Sequence, residues 1–276
     1  MKIIDGKALA EKLRAELKYK IEKTERKPGL AVVIVGEDPA SRIYVRNKIK
    51  ACEQLGIRSY SYELPEQSTQ KDVEDLLDSL AENDEIDGIL LQLPLPKHLH
   101  GESATAHIPF EKDVDGFSEE NLGLLMKNKA RIVACTPLGV MKILENEGIE
   151  ISGKHAVVLG RSETVGKPMA MLLLNANATV TVCHSKTKNI KEICQRADIL
   201  VSAVGKAKFI TEDMVKEGAV VIDVGMNRDE NGKLCGDVDF EMVKNKASHI
   251  TPVPGGVGPM TITMLMYNTY LTAYKE

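Results

Sequence analysis

The chain has 276 residues, of which 43% are apolar and 28% are charged, and its formal net charge is −4. This composition is typical of a globular protein, and the lack of net positive charge argues against a protein that binds the phosphate backbone of nucleic acid. No apolar run approaches the roughly 18 residues of a membrane span. We therefore expect neither nucleic acid nor a membrane among its partners.

The N-terminus and the cysteines predict a cytoplasmic protein. Residues 1–18, MKIIDGKALAEKLRAELK, have the pattern of a charged amphipathic helix and lack the apolar stretch of a secretory signal. The five cysteines are widely spaced, odd in number and without a C-x-x-C pair, which argues against a disulfide framework and against a zinc site. They are Cys52, Cys135, Cys183, Cys194 and Cys235. We expect a reducing compartment and no metal.

The first third of the chain alternates strand and helix patterns. Residues 29–36, GLAVVIVG, predict a strand buried on both faces, followed by an amphipathic helix over 43–56. A weaker strand, 58–64, precedes a helix with apolar spacing from Val73 to Leu80, and a third strand over 86–96 ends in two prolines. This succession implies a parallel sheet with helical crossovers.

One lysine interrupts the apolar arc of the helix over 43–56. Lys48 falls one turn after Tyr44, among apolar side chains, with charged residues on the opposite side. A lysine in such an arc either extends its ammonium to the edge of the protein or serves a polar pocket. The periodicity alone leaves both interpretations open.

The rest of the chain predicts a second, nucleotide-binding series. An irregular polar stretch over 97–117 is longer than a compact connection needs, which favours a functional loop. Two helical segments follow, around 119–127 and 138–147. From residue 154 to about 224, strands and helices alternate in the pattern of a doubly wound dinucleotide fold.

The segment VVLGRSETVGKP contains an imperfect dinucleotide-binding glycine motif. Gly160 holds the first position, Ser162 replaces the second glycine, and Gly166 comes one residue late. The alternative is a tight strand-to-helix turn without a ligand. In the surrounding series, we expect the loop to bring backbone amides to a pyrophosphate.

The next strand indicates which dinucleotide binds. An NAD site usually places Asp or Glu at the end of that strand, where it binds the ribose 2′-hydroxyl. Here the strand ends in His184, Ser185, Lys186 and Thr187, and Arg161 lies in the glycine loop. Cations and hydroxyls without an acid suit a 2′-phosphate, so NADP is favoured, unless Arg161 is merely a solvated side chain.

Three further features favour a polar pocket for Lys48. Gln92 lies near the carboxyl end of an apolar strand, where ligands approach open α/β sheets, and Asp115 follows soon after in KDVDGF. The segment 251–261, TPVPGGVGPMT, is a rigid turn whose glycines can approach a ligand, although a simple strand-to-helix corner has the same composition.

Together these segments carry a family resemblance. SRIYVRNK, DGILLQLPLP, KDVDGF, GRSETVGKP and PVPGGVGPMT, in this order, resemble the bifunctional methylenetetrahydrofolate dehydrogenase/cyclohydrolase family of the bacterial FolD type. The resemblance runs from about Asp5 to the C-terminus. It implies oxidation of 5,10-methylenetetrahydrofolate with NADP, followed by hydrolysis to 10-formyltetrahydrofolate, in one-carbon metabolism and purine biosynthesis.

The resemblance also implies roles for individual residues. Lys48 is the central catalytic residue, Gln92 tunes it, Tyr44 stacks on the aminobenzoyl group and Asp115 holds the pterin. The turn from Pro252 to Met260, with Gly255 and Gly256, lines the folate site. The residues implied in binding NADP are Gly160, Arg161, Ser162, Ser185 and, near the nicotinamide, Met226.

The implied architecture is α/β with two domains. A three-layer folate-binding catalytic domain comprises residues 1–118 plus 256–276, and a Rossmann-type NADP-binding domain comprises 119–255. The final helix returns to the first domain, the folate cleft lies between the domains, and the enzyme is usually a homodimer.

The sequence differs from the family pattern at two places, and two alternative functions remain to be compared with it. Ala134 replaces a proline common in the family, and Glu163–Thr164 replaces Asn-Ile or similar, which puts negative charge near a phosphate site. The rivals are an NADP dehydrogenase of the shikimate type and a non-catalytic nucleotide sensor. The first does not explain Tyr44 one turn before Lys48, and the second does not explain the intact set of polar residues.

Overall fold

A computed structural model describes residues 1–274, apart from the side chain of Ala40. The chain divides into two compact units. The six-stranded unit contains Met1–Glu11 and Thr136–Thr261, and the three-stranded unit contains Lys12–Cys135 and the C-terminal segment from Ile262.

The helices and strands follow the chain order below. They are β1 (Lys2–Ile3), α1 (Gly6–Glu22), β2 (Gly29–Val35), α2 (Pro39–Leu55), β3 (Arg58–Leu64), α3 (Gln70–Ala81), β4 (Gly88–Leu91), α4 (Gly101–Thr105), α5 (Glu119–Met126), α6 (Cys135–Asn146), β5 (His155–Leu159), α7 (Gly166–Asn175), β6 (Thr179–Cys183), α8 (Ile190–Cys194), β7 (Ile199–Ser202), a 3₁₀ turn (Glu212–Met214), β8 (Val220–Asp223), β9 (Asn227–Arg228), β10 (Leu234–Cys235), α9 (Phe240–Val243), β11 (His249–Ile250) and α10 (Val257–Ala273).

The three-stranded unit is built on a parallel sheet in the order β3-β2-β4. Every residue of the central strand β2 is buried, as expected for an apolar run covered on both faces. Helix α3 packs its apolar side chains, Val73, Leu77 and Leu80, into the core beneath this sheet. The predicted β-α-β-α-β series is therefore present.

Local sequence sets both ends of α2, the helix that carries Lys48. The Asp38 side chain accepts a hydrogen bond from the Ser41 amide at 2.8 Å, and Pro39 occupies the first turn, so the helix begins four residues before the predicted segment. Gly56 ends it in a left-handed conformation with φ 76°.

The six-stranded unit contains a parallel sheet in the order β1-β11-β8-β7-β5-β6. The chain runs outward from β5 to β6 and then crosses to β7 on the other side of β5. The carboxyl ends of β5 and β7 therefore border the topological switch point of this sheet, where doubly wound folds bind ligands. The α/β fold class with a parallel, Rossmann-type sheet is confirmed.

Three features differ from the sequence-based prediction. The N-terminal segment is not helical from its first residue, because Lys2 and Ile3 form an edge strand beside His249 and Ile250. A two-stranded antiparallel hairpin, β9 and β10, was not predicted. The units also divide the chain at other places than 118 and 256, because pairing of β1 draws the N-terminus into the six-stranded unit, while residues 119–135 cluster with the three-stranded one.

Three general properties can be stated for the described chain. Among its helices, none combines the length and apolar character that a bilayer span requires. Within residues 1–274, no cluster of three or more His, Cys, Asp or Glu side chains could hold a metal ion. All five cysteines are free thiols.

Candidate functional site

Lys48 forms a hydrogen bond with Gln92 in the three-stranded unit. The ammonium Nζ donates to the Gln92 Oε1 at 2.9 Å. The Gln92 Nε2 donates to the carbonyl of Leu93 at 2.6 Å, and its backbone amide donates to Val33 at 2.8 Å. Because both the backbone and the amino group are engaged, the Gln92 oxygen is turned toward Lys48. The lysine therefore belongs to a polar pocket at the carboxyl end of β4.

The helix faces agree with this placement. Val45, Ala51, Cys52 and Leu55 are buried on α2, whereas Lys48 is only partly buried. Tyr44, one turn earlier, keeps 37% of its surface exposed despite its place in the apolar arc. The arc is thus part core and part open surface, with Tyr44 on the exposed part.

Asp115 lies close enough to Lys48 for their charges to interact. Burial raises the pKa of the Asp115 carboxyl to about 6, the Lys48 ammonium opposes that rise, and the Asp113 carboxylate adds to it. In the part of the chain that the structure describes, the Asp115 carboxylate forms no hydrogen bond or ion pair. It can therefore accept hydrogen bonds from a ligand.

Asp113 and Asn121 hold the loop that carries Asp115. The buried Asp113 carboxylate accepts hydrogen bonds from the amides of Gly116 at 3.0 Å and Ser118 at 2.8 Å. It also accepts from the Asn121 Nδ2 at 3.0 Å. Sequence reasoning passed over these two residues, although a second aspartate two positions before Asp115 was a visible signal.

Asn268 supports the same loop from α10. Its Nδ2 donates to the carbonyls of Val114 at 2.8 Å and Val133 at 2.9 Å. The thiol of Cys135 also donates to the Val114 carbonyl, at 3.3 Å, and burial raises the pKa of that thiol well above its usual range. Cys135 is therefore a neutral packing group beside the site. Asn268, the one amide side chain in a helix without charged residues, was the sequence signal for this contact.

The Pro252–Gly256 turn belongs to the six-stranded unit. It follows β11 and leads into α10. The carbonyl of Gly255 accepts a hydrogen bond from the Lys7 amide at 3.0 Å, and a side chain at Gly6 would overlap the carbonyl of Gly256. The turn is thus held in place by the first residues of α1.

The predicted glycine loop lies at the switch point of the six-stranded sheet. Gly160 follows β5 with φ 118°, and a Cβ at this position would overlap the carbonyl of Ala203, which follows β7. A Cβ at Gly166 would overlap the Gly160 carbonyl. Both glycines are therefore required by close backbone approach within the protein, which a tight strand-to-helix turn and a ligand loop would share.

Ser162 completes the start of α7. Its Oγ accepts hydrogen bonds from the amides of Val165 at 3.2 Å and Gly166 at 3.3 Å. At these two amides the serine hydroxyl is the acceptor. The hydroxyl keeps its own proton, which it can donate to an anion.

The negative charge of Glu163 is paired within the loop. Its carboxylate lies 2.6 Å from the Lys167 ammonium, one helical turn away, and this pairing lowers the pKa of Glu163. Both side chains are more than half exposed. The departure from the family pattern at this position therefore adds little net charge.

Arg161 and Ser185 leave neighbouring strands at the same edge. Leu159 is paired with Cys183 in the register of β5 and β6. Arg161 comes two positions after Leu159, and Ser185 comes two positions after Cys183. Both side chains are exposed. Met226 follows β8 and is 49% exposed.

The structure thus forms two groups of predicted site residues. Lys48, Gln92 and Asp115 lie together, with Tyr44 one turn away on the same helix. Gly160, Arg161, Ser162 and Ser185 border the switch point, and the residues that sequence reasoning missed are Asp113, Asn121, Cys135 and Asn268.

Comparison with known proteins gives matches along nearly the whole chain. Residues 4–115 match the model of the tetrahydrofolate dehydrogenase/cyclohydrolase catalytic domain, and residues 134–276 match the NAD(P)-binding domain of the same family. A Bacillus cytotoxicus protein named bifunctional protein FolD is 56% identical over 99% of this chain and 96% of its own.

Solved structures agree with these matches. The bifunctional FolD methylenetetrahydrofolate dehydrogenase/cyclohydrolase from Campylobacter jejuni is 49% identical with a TM-score of 0.97, and the match covers 99% of this chain and 98% of that one. The Trypanosoma brucei enzyme, solved with NADP and an inhibitor, is 41% identical with a TM-score of 0.93, covering 98% and 96%. Shikimate 5-dehydrogenase from Thermus thermophilus is 15% identical with a TM-score of 0.54, over 87% and 99%, a likeness of fold alone.

Proposed function

Since the chain belongs to the tetrahydrofolate dehydrogenase/cyclohydrolase family, we propose that it oxidises 5,10-methylenetetrahydrofolate with NADP and hydrolyses the product. The first step gives 5,10-methenyltetrahydrofolate and the second gives 10-formyltetrahydrofolate. The observation that carries this proposal is the hydrogen bond of Lys48 to Gln92 beside the partly buried Asp115. This group supplies a cation, an amide and a carboxylate at the end of a buried strand.

The cofactor site suits NADP. Gly160 allows the closely packed backbone at the switch point, and the Ser162 hydroxyl has a proton to donate to a phosphate oxygen. Arg161 and Ser185, at the ends of adjacent strands, supply a cation and a hydroxyl for the ribose 2′-phosphate. Met226, exposed at the end of β8, would border the nicotinamide.

The dehydrogenase step depends chiefly on alignment. NADP supplies the acceptor for the hydride. The cation that forms on the folate is delocalised over two nitrogens, so the protein needs mainly to fix the one-carbon unit. We assign this to Lys48, whose position is set by Gln92, and to stacking of Tyr44 on the aminobenzoyl group. Asp115 accepts hydrogen bonds from the pterin.

The cyclohydrolase step needs proton transfer as well as alignment. Water adds to the methenyl carbon, and the ring then opens as one nitrogen is protonated. Lys48 is the group that moves this proton, because its ammonium is held by one neutral acceptor and lies beside the carboxylate of Asp115. The turn with Pro252, Gly255 and Gly256 is assigned to folate binding.

One assay tests the proposal. The protein is mixed with 5,10-methylenetetrahydrofolate and NADP, and absorbance of NADPH and of the methenyl intermediate is followed. We expect NADPH to accumulate and the intermediate to decay. Absence of both signals, or reduction of NADP with shikimate instead, would contradict the proposal.

We further propose a cytoplasmic homodimer that binds neither nucleic acid nor membranes. The free thiols of all five cysteines suit a reducing compartment. The net charge of −4 offers no attraction to a phosphate backbone. Light scattering coupled to size-exclusion chromatography should give twice the mass of one chain, and a monomeric mass would contradict the dimer.

A further inference from the structure

Two buried carboxylates of the six-stranded unit have no part in the function proposed above. Asp223 is the last residue of β8 and Asp237 follows the hairpin of β9 and β10. Asp223 is 3% exposed and Asp237 is fully buried. Buried carboxylates are costly unless hydrogen bonds satisfy them, so their partners indicate what they do.

Asp237 accepts four hydrogen bonds from two separate segments. Its Oδ2 accepts from the Ser202 hydroxyl at 3.1 Å and from the Val204 amide at 2.7 Å. Its Oδ1 accepts from the Lys206 amide at 3.0 Å and from the Asn227 Nδ2 at 2.9 Å. One side chain therefore fixes the end of β7, the loop after it, and the residue next to Met226.

Asp223 fixes the backbone of Asp237 in turn. Its carboxylate accepts from the amides of Gly225, Asp237 and Val238, each at 2.9 Å. Burial raises the pKa of Asp223 to about 6, and the three amides oppose that rise. Only glycine fits at position 225, because a Cβ there would overlap the Asp237 carboxylate. The arrangement is closely packed and specific.

The segments that Asp237 holds border the cofactor site. Ala203, between two of its partners, places its carbonyl against Gly160 of the glycine loop. Residues 203–206 thus form the wall of the switch point opposite that loop, and Met226 lies at the end of the adjacent strand β8. Asp237 itself is fully buried and contacts both segments through its carboxylate.

We propose that Asp237 is a positioning residue for NADP, which sets the backbone of residues 203–206 and holds the side chain of Asn227, next to Met226, so that both segments fit the cofactor. This inference rests on the proposed function. It predicts that weakening the Asp237 hydrogen bonds raises the dissociation constant for NADP, while the cyclohydrolase reaction, which needs no NADP, keeps its rate.

The test compares Asp237→Asn with Asp198→Asn. In Asp237→Asn, the side-chain NH₂ group faces hydrogen-bond donors that the wild-type carboxylate accepts from. Two of the four hydrogen bonds of Asp237 are therefore lost. Asp198 also accepts a backbone hydrogen bond, from His155 at 2.9 Å, and pairs with Lys216 at 2.6 Å, but it lies at the amino end of β7. It is therefore a control for general weakening of the same sheet.

For each variant, calorimetric titration with NADP is combined with methenyltetrahydrofolate hydrolysis and thermal unfolding. For Asp237→Asn we expect the dissociation constant to rise at least about tenfold, the equivalent of one hydrogen bond to a charged group. Hydrolysis should stay within about twofold of wild type, because Lys48, Gln92 and Asp115 lie in the other unit. Asp198→Asn should change neither quantity.

Asn227→Ala provides a milder variant if Asp237→Asn does not fold. It removes one donor to Asp237 and leaves the carboxylate in place, and we expect a rise of about threefold in the dissociation constant. An unchanged constant in the folded variants, or equal losses of NADP binding and hydrolysis, would overturn the inference. Wild-type protein that does not bind NADP would contradict the proposed function and the inference with it.

Discussion

Lys48 and Gln92 are joined by a hydrogen bond of 2.9 Å in which the glutamine oxygen accepts, since the glutamine amino group already donates to the Leu93 carbonyl. The amide cannot reverse its orientation without facing its amino group toward an ammonium. Gln92 therefore contributes to fixing where the lysine head group lies.

This arrangement predicts the effect of replacing the lysine. Lys48→Met keeps an unbranched side chain that is shorter by one atom and removes the proton-bearing group. We expect hydrolysis of methenyltetrahydrofolate to fall by at least about 100-fold, the usual scale of a lost acid–base group. The dissociation constant for NADP should stay at the wild-type value. Stopped-flow absorbance of the methenyl group measures the first quantity, and calorimetry measures the second.

Lys50→Met is the matched control for that experiment. Lys50 lies on the same helix, two residues further on, and its side chain is exposed. Its replacement removes the same charge from α2 without touching Gln92, so activity should be retained. Full hydrolysis by Lys48→Met would show that another group transfers the proton.

The raised pKa of Asp115 predicts that its ionised carboxylate lowers the stability of the protein, although the same carboxylate is needed to bind folate. Its folded pKa of about 6 lies above the ordinary value of 3.8, so the folded state holds the proton more tightly than the unfolded chain. The ionised carboxylate therefore costs stability above pH 6, and this cost disappears as the pH falls toward 4. A rise of the pKa by this amount lowers the free energy of unfolding by at most about 3 kcal/mol above pH 6.

Asp115→Asn should accordingly be more stable than wild type at about pH 8 and no more stable at about pH 4. The attraction of Lys48 for the ionised carboxylate is already part of this net rise in the pKa and is not subtracted again. Asp223, whose pKa is also raised to about 6, keeps part of the pH dependence. Urea unfolding at both pH values measures the difference, and exposed Asp84→Asn is the control.

The same variant should bind folate more weakly. An amide offers one acceptor where the carboxylate offers two, so we expect the KM for methylenetetrahydrofolate to rise by about tenfold or more. A variant that is less stable than wild type at high pH, or that keeps its folate KM, would contradict the role given to Asp115.

Local patterns made much of the fold predictable. The apolar run of β2 is buried on both faces. Helix α3 begins where Thr69 and Asp72 form a reciprocal capping box. Strand β1 escaped prediction because two residues carry no periodicity, and their pairing with β11 depends on a segment almost 250 residues away in the sequence.

The candidate site was predictable only in part, for a related reason. Lys48 was conspicuous as a charge in an apolar arc, and Asp115 stood in a polar loop. Asn268 makes buried hydrogen bonds to residues more than 130 positions away in the sequence. Asp237 makes them to the loop after β7, which has no regular pattern in the sequence. A single polar residue in an apolar stretch signals such a contact, but the partner is specified by tertiary structure.

Arg161 predicts the choice between the two nicotinamide cofactors. Arg161→Ala should raise the KM for NADP by about tenfold and leave the KM for NAD nearly unchanged, because only NADP carries the 2′-phosphate. Arg196→Ala, an exposed arginine outside the glycine loop and the end of β6, is the control. An equal rise for both cofactors would mean that Arg161 binds the part they share.

Glu163 predicts a small effect where its sequence position suggests a large one. Because its carboxylate lies 2.6 Å from Lys167 and both side chains are exposed, Glu163→Gln should change the KM for NADP by less than about twofold. Lys167→Met leaves the same carboxylate without its cation beside the loop, and should raise that KM more. The comparison is made at low and at high salt, since an exposed pair is screened and the difference should shrink as salt is added. A large gain in NADP affinity for Glu163→Gln would show that the carboxylate faces the phosphate site despite its lysine.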